Sequence, residues 1–302
     1  MDDSPSLLVL DGTILEQLEL ISLRWSSLML NGVMLLWFTL TAFSVAYVAA
    51  DIYRTPESPV LKWAFILLTA YTGPVGAFLY VLGCREPLPG LHERYTEARW
   101  RQVLGSTMHC VAGDGAGILV GAILGAFLKF SGGVDITIEY ILGFGFGWSI
   151  FQALFMKNSM GGSYKAALKK TFIPELVSMN ILMAAFIPVM EYGFTHASGS
   201  HNPTTPAFWF IMSMGLLFGF IIDYPINWWL VSHHLKHGMA TIRPAGQSST
   251  DMKAVSKPGK AKMEDKAEKV ESVSRGVQLR MVGITFGLLA LSIVSVVMVG
   301  WL

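Results

Sequence analysis

A helix needs about 20 mostly apolar residues to cross the hydrocarbon of a bilayer. About seven runs of that kind follow one another along this chain, at roughly 26–50, 60–83, 104–128, 136–156, 172–190, 207–232 and 281–302. They are longer than the core helices of a soluble domain usually are. The 302 residues are 53% apolar and 14% charged, a balance that a water-soluble domain could not hide in its interior. The predicted fold is therefore all-α, a polytopic transmembrane helical bundle of about seven spans whose first partner is the lipid bilayer.

The net charge of +1 gives no reason to expect nucleic acid as a partner. Two cysteines, Cys84 and Cys110, make no disulfide framework. Met1–Ser22 carries Asp2, Asp3, Asp11, Glu16 and Glu19 instead of a basic leader, so the first run is expected to stay as an anchor.

Lysine and arginine collect on the cytoplasmic side of a membrane. With seven alternating spans, only Arg54, Lys62 and Lys129 of the 22 basic residues fall on the far side. This bias predicts a cytoplasmic N-terminus, an external C-terminus and residence in the cytoplasmic (inner) membrane. The expected organisation is an N-terminal cytoplasmic segment at 1–25 and a six-helix core at 26–240. A disordered cytoplasmic linker rich in Lys, Ser and Ala follows at 241–275, then a C-terminal transmembrane helix at 276–302.

Polar side chains inside a span are costly to insert, so they face the bundle interior or a wet cavity. In the third run Gly113, Gly117, Gly121 and Gly125 repeat every four residues and form a smooth strip for close helix packing. His109 extends that strip, and Cys110 with Asp114 forms the neighbouring one about 100° around the axis. The sixth run places Gly215, Gly219, Asp223 and Asn227 on a single stripe, followed by His233 and His237 at the spacing of two ligands on one face. Pro225, beside Asp223, removes a backbone donor and frees a carbonyl. The fifth run offers Glu175, Met179 and Asn180. At 1.5 Å rise per residue, His109 and Cys110 lie about 10–12 Å from the cytoplasmic end of their helix and Met179 and Asn180 at about 12–14 Å. Asp114 comes at about 18 Å and Asp223 at about 20 Å. Three helices thus bring polar groups into the same half of the membrane.

Met108-His109-Cys110-Val111-Ala112-Gly113-Asp114, Thr72-Gly73-Pro74, Phe208-Trp209, and Tyr224-Pro225-Ile226-Asn227 with His237-Gly238 together resemble a prokaryotic integral membrane family, domain of unknown function 4396. The resemblance covers roughly 65–240. Many members of that family carry a second cysteine where this chain has Asp114. The departure leaves a mixed thiol, imidazole and carboxylate set in place of a dithiol. The resemblance implies an architecture and candidate positions, not a reaction.

Thiolate, imidazole and thioether suit copper or zinc, and carboxylate extends the choice toward harder ions. The leading expectation is a membrane protein that binds or conducts a transition-metal ion, with His109, Cys110, Asp114 and Asp223 as ligands and Glu175, Met179, Asn180 and Asn227 lining the pocket. One alternative is proton-coupled solute transport through titrating Asp114 and Asp223. Another is a non-catalytic membrane subunit whose glycine faces pack a second copy or another protein. Enzymatic use of Cys110 with His109 as base ranks lower, because neighbouring helical residues diverge by about 100°.

Overall fold

The computed structural model describes residues 6–157, 162–236, 238 and 273–301, all helical or connecting. The linker expected over 241–275 falls almost entirely outside the described residues, as does His237. Helix α1 runs Ser6–Asp51 and tightens into a 3-10 turn at Ile52–Arg54. Helices α2 (Pro59–Thr72), α3 (Pro74–Gly83) and the short α4 (His92–Thr96) precede α5 (Arg99–Leu128). The next segment begins as α6 (Gly132–Phe146), widens into a π-helical turn at Gly147–Gln152 and ends as α7 (Ala153–Lys157). Helices α8 (Tyr164–His196), α9 (Pro206–Ser232) and α10 (Arg275–Val299) complete the bundle.

Six of these segments are long and apolar enough to cross a membrane: Leu28–Arg54, Arg99–Leu128, Gly132–Lys157, Tyr164–His196, Pro206–Ser232 and Arg275–Val299. More than half of the most apolar stretch of α5, α8 and α9 is buried against other helices, whereas α1 and α10 leave most of theirs on the outer surface. The three helices richest in intramembrane polar residues are therefore the central ones.

The run 60–83, expected as one span, folds as two helices, α2 and α3, joined at Gly73. As a single helix that run would separate its ends by about 35 Å. Instead Asp51 bonds Arg85 at 2.7 Å, the Thr55 hydroxyl lies 2.9 Å from that of Tyr80, and Glu57 meets Cys84 and His92. Ser58 caps α2 by accepting from the Leu61 amide, and Pro59 fits the first turn because no helical donor is needed there. At the far end Gly73 takes φ +59°, a left-handed conformation that only glycine adopts freely, and Pro74 starts α3 in the opposite direction. A Cβ on Gly76 would lie 2.6 Å from Thr69 Cα, so the two arms touch backbone to backbone.

The tip of this hairpin packs against Trp37 and Thr41 of α1, about 15 Å along the helix from Asp51. Ser213, in the first third of α9, accepts from the Trp37 indole at 3.0 Å and donates to the Tyr71 carbonyl. Non-helical backbone survives at membrane depth where protein satisfies its polar groups, as Ser213 does here. The segment is a helical hairpin.

Both glycine stripes serve packing within the chain. The α5 strip meets α6 running the other way: Gly113 faces Gly147, Gly117 faces Leu142 and Gly143, Gly121 faces Glu139 and Gly125 faces Asp135. A Cβ on Gly117 or Gly121 would strike α6 backbone. On α9, Gly215 seats the Phe186 ring and Gly219 seats Leu182, both from α8.

Candidate metal centre and intramembrane polar cluster

The hairpin creates the tightest cluster of three donors among the described residues. Glu57 leads into α2, Cys84 caps α3 and His92 opens α4, so closing the hairpin brings three loops together. One carboxylate oxygen, the thiol sulfur and one imidazole nitrogen lie within 4.8 Å of one another, all buried. No other set of three His, Cys, Asp or Glu donors is as close among the described residues. His92 Nε2 is 3.6 Å from Glu57 Oε1 and 3.1 Å from the Cys84 carbonyl oxygen. Glu86 accepts from the Gly90 amide at 2.8 Å and from the His92 amide at 3.2 Å, which fixes the loop that carries the imidazole.

Burial, with Glu57 adding to it, pushes the Cys84 thiol well above its usual range, so it remains protonated until a cation compensates the thiolate. Zinc bound at 2.0–2.3 Å would need donor separations of about 3.4–3.8 Å, so the three groups must draw in slightly. Thiolate, imidazole and carboxylate make a mixed set suited to a borderline metal ion, with a fourth position open to water or an exchanging ligand.

The sequence-derived candidates assemble elsewhere, between α5, the π turn, α8 and α9. Glu175 Oε2 accepts from Gln152 Nε2 at 2.8 Å and from the Cys110 thiol at 3.4 Å. Gln152 also donates to Cys110 Sγ at 3.0 Å. Lys236 reaches back from beyond α9, its Nζ 2.8 Å from Cys110 Sγ and 3.2 Å from Glu175 Oε2. Burial disfavours its charge, but Cys110, Glu175 and Asp223 more than offset that and hold the ammonium above the usual lysine range.

Asp114 is fully buried, and neither of its oxygens has a hydrogen-bond donor among the described residues. Its carboxylate sits over the bare backbone of Gly147, where Glu175 Oε1 also arrives, so a side chain there would collide with both. The π turn accounts for this placement, because one extra residue in the turn presents Gly147 and Gln152 to the same cluster.

Asp223 forms a neighbouring subsite. Ser178 donates to its carboxylate at 2.8–2.9 Å, and Asn227 Nδ2 donates to Oδ2 at 2.6 Å. Asn180 belongs to a third, where it accepts from the Tyr140 hydroxyl at 2.6 Å and donates to Thr285 of α10 at 3.1 Å. Met179 presses its Cε toward Gly143. His109 turns away from the thiol, its ring 4.9 Å from that of Phe155 and 5.8 Å from that of Phe151, with no hydrogen-bond partner at Nε2 among the described residues.

Sequence reasoning missed Lys236, which lies beyond the predicted run 207–232, and Gln152, a lone amide in an apolar run. It also missed Glu57 and His92, which a seven-span count places on opposite faces of the membrane.

Fold and site together define a multi-pass helical membrane protein with a buried Glu/Cys/His cluster suited to metal coordination. Residues 99–236, from α5 to the Lys236 strap, match the model of the family described as "Domain of unknown function (DUF4396)". No curated protein and no solved structure matches the chain. The hairpin, and with it Glu57, Cys84 and His92, precedes the family segment.

Proposed function

We propose that the protein binds a transition-metal cation at Glu57, Cys84 and His92 as part of handling that ion at the membrane. The convergence of three different donor types, each buried and each supplied by a different loop, supports this reading. The carboxylate favours zinc over copper(I), which prefers an all-soft donor set. His109, Cys110, Asp114 and Asp223 form the proposed intramembrane stage. Lys236 now satisfies Cys110 and Glu175, so a metal ion reaching them must displace an ammonium.

One observation favours proton coupling as a second reading of that stage. Asp114 is a buried carboxylate without a donor, beside Glu175 and near Asp223, the arrangement of a group that takes up and releases a proton.

The hairpin also supports a reading of the orientation. With six crossings and a re-entrant 59–83, every basic residue except Arg24 and Lys129 falls on one side, a stronger bias than seven spans give. Both termini are then external, and the Glu57 cluster and the 241–275 linker face the cytoplasm of an inner-membrane protein.

Elemental analysis of the detergent-purified full chain, loaded with zinc and desalted, tests the metal reading. Cys84→Ser and His92→Ala are expected to lose the bound ion, with unfolding temperature monitored to exclude global damage. Unchanged zinc content in both variants would refute the assignment.

A further inference from the structure

At the opposite end of α5 from the metal cluster lies a cavity of about 390 Å³. It is bounded by the end of α5, the first turn of α6, α8, His201 of the α8–α9 connection, Phe208 of α9, and Trp301 just beyond α10. Asp135 and Glu191 line it. One turn along α6 from Asp135, Glu139 is fully buried and in electrostatic range of both. Neither Glu139 oxygen has a hydrogen-bond partner among the described residues, nor does Asp135 Oδ1. Two carboxylates thus line the cavity, Asp135 with acceptor capacity to spare, while Glu139 lies behind the wall; Lys129 is the one lysine or arginine on the lining, itself exposed. The rest of the wall includes the rings of Phe194 and Trp301.

Size and chemistry restrict the occupant. The volume is that of a small organic ligand and too large for a bare ion. No three acidic or imidazole donor atoms converge here within 4.8 Å, so a dehydrated metal ion finds no preformed cage. Carboxylates that lack donors call for N–H groups, and aromatic faces attract a cation and cover an alkyl chain.

We propose that this cavity binds a primary alkylammonium ion, its head directed at Asp135 and Glu191, the two carboxylates on the lining, and its chain against Phe194 and Trp301. A diamine would place one ammonium on each of these two carboxylates. The site is independent of the metal reading, and its test distinguishes the two.

The test is calorimetric titration of the detergent-solubilised full chain with n-butylammonium, 1,4-diaminobutane and the neutral n-butanol. Both amines are expected to bind saturably and to raise the unfolding temperature. Loss of one charge in Glu191→Gln or Asp135→Asn should weaken binding by at least about tenfold, while Lys129→Gln strengthens it and Cys84→Ser leaves it unchanged. Butanol binding as well as butylammonium, equal affinity in the carboxamide variants, or displacement of the amine by one equivalent of magnesium would each overturn the proposal.

Discussion

The Nζ of Lys236 lies 2.8 Å from the Sγ of Cys110 and 3.2 Å from Glu175 Oε2, so a residue beyond the last turn of α9 neutralises a carboxylate buried in the bundle. A left-handed residue, His234, turns the chain back after α9, and Gly238 lies so close to Gln102 that a Cβ would come within 2.7 Å of its Cα. The strap is therefore pinned on both sides of the lysine.

Removing that cation alone leaves Glu175 charged and unpaired away from water. Breaking a buried pair by deleting one partner costs about 3–5 kcal/mol. Lys236→Met is expected to lower stability by that order in detergent thermal unfolding. The double variant Lys236→Met/Glu175→Gln should recover most of the loss, and a double variant no more stable than the single one would show that the pair is not the cause.

Gly147 and Gly145, two residues apart, make a matched comparison within one turn of helix. A Cβ at Gly147 would overlap the Asp114 carboxylate, while one at Gly145 meets nothing within 4 Å. Gly147→Ala should therefore destabilise by about 1–3 kcal/mol through overpacking, and Gly145→Ala should be neutral or mildly stabilising. Unfolding midpoints of the two variants side by side decide the matter.

At the hairpin tip, an added Cβ on Gly73 would meet Thr41 Oγ1 at 2.7 Å in a backbone conformation already unfavourable for alanine. Gly73→Ala is expected to cost about 1–3 kcal/mol and, by loosening the hairpin, to reduce zinc retention at Glu57, Cys84 and His92. Retention equal to that of the parent protein would uncouple the hairpin from the cluster.

Sidedness can be read by thiol labelling, since both native cysteines are buried. A cysteine placed at exposed Tyr53 should react from the cytoplasmic side and one at Ser131 from the outside, with an N-terminal epitope also external. External reaction at position 53 would restore a spanning 60–83 segment.

Metal uptake has a proton signature as well. The Cys84 thiol, held protonated by burial, must lose its proton when it coordinates a cation. Zinc binding should therefore release protons and weaken as pH falls, and titration in two buffers of different ionisation enthalpy measures the release.

Much of the architecture was legible in the chain. The helical class follows from run length, because a bilayer leaves no other use for so many apolar stretches. The four-residue spacing of Gly113, Gly117, Gly121 and Gly125 announced a close helix contact, and the intramembrane clustering of Cys110, Asp114, Glu175 and Asp223 followed from helical period and depth. Which helix filled the strip did not follow. Periodicity defines a face, while the partner depends on how segments distant in sequence meet, and here it is α6 of the same chain rather than a second copy.

What only the tertiary structure decided turns on a single reversal. An apolar run of 25 residues reads the same whether it crosses the membrane or doubles back, because hydropathy records the environment of side chains and not the direction of the backbone. The left-handed Gly73 and the Ser213 hydroxyl that caps the turn from another helix select the hairpin. Only that reversal carries Cys84 and His92 back to Glu57, and only the strap beyond α9 delivers Lys236 to Glu175, since both contacts join residues whose spacing in the chain has no periodic relation.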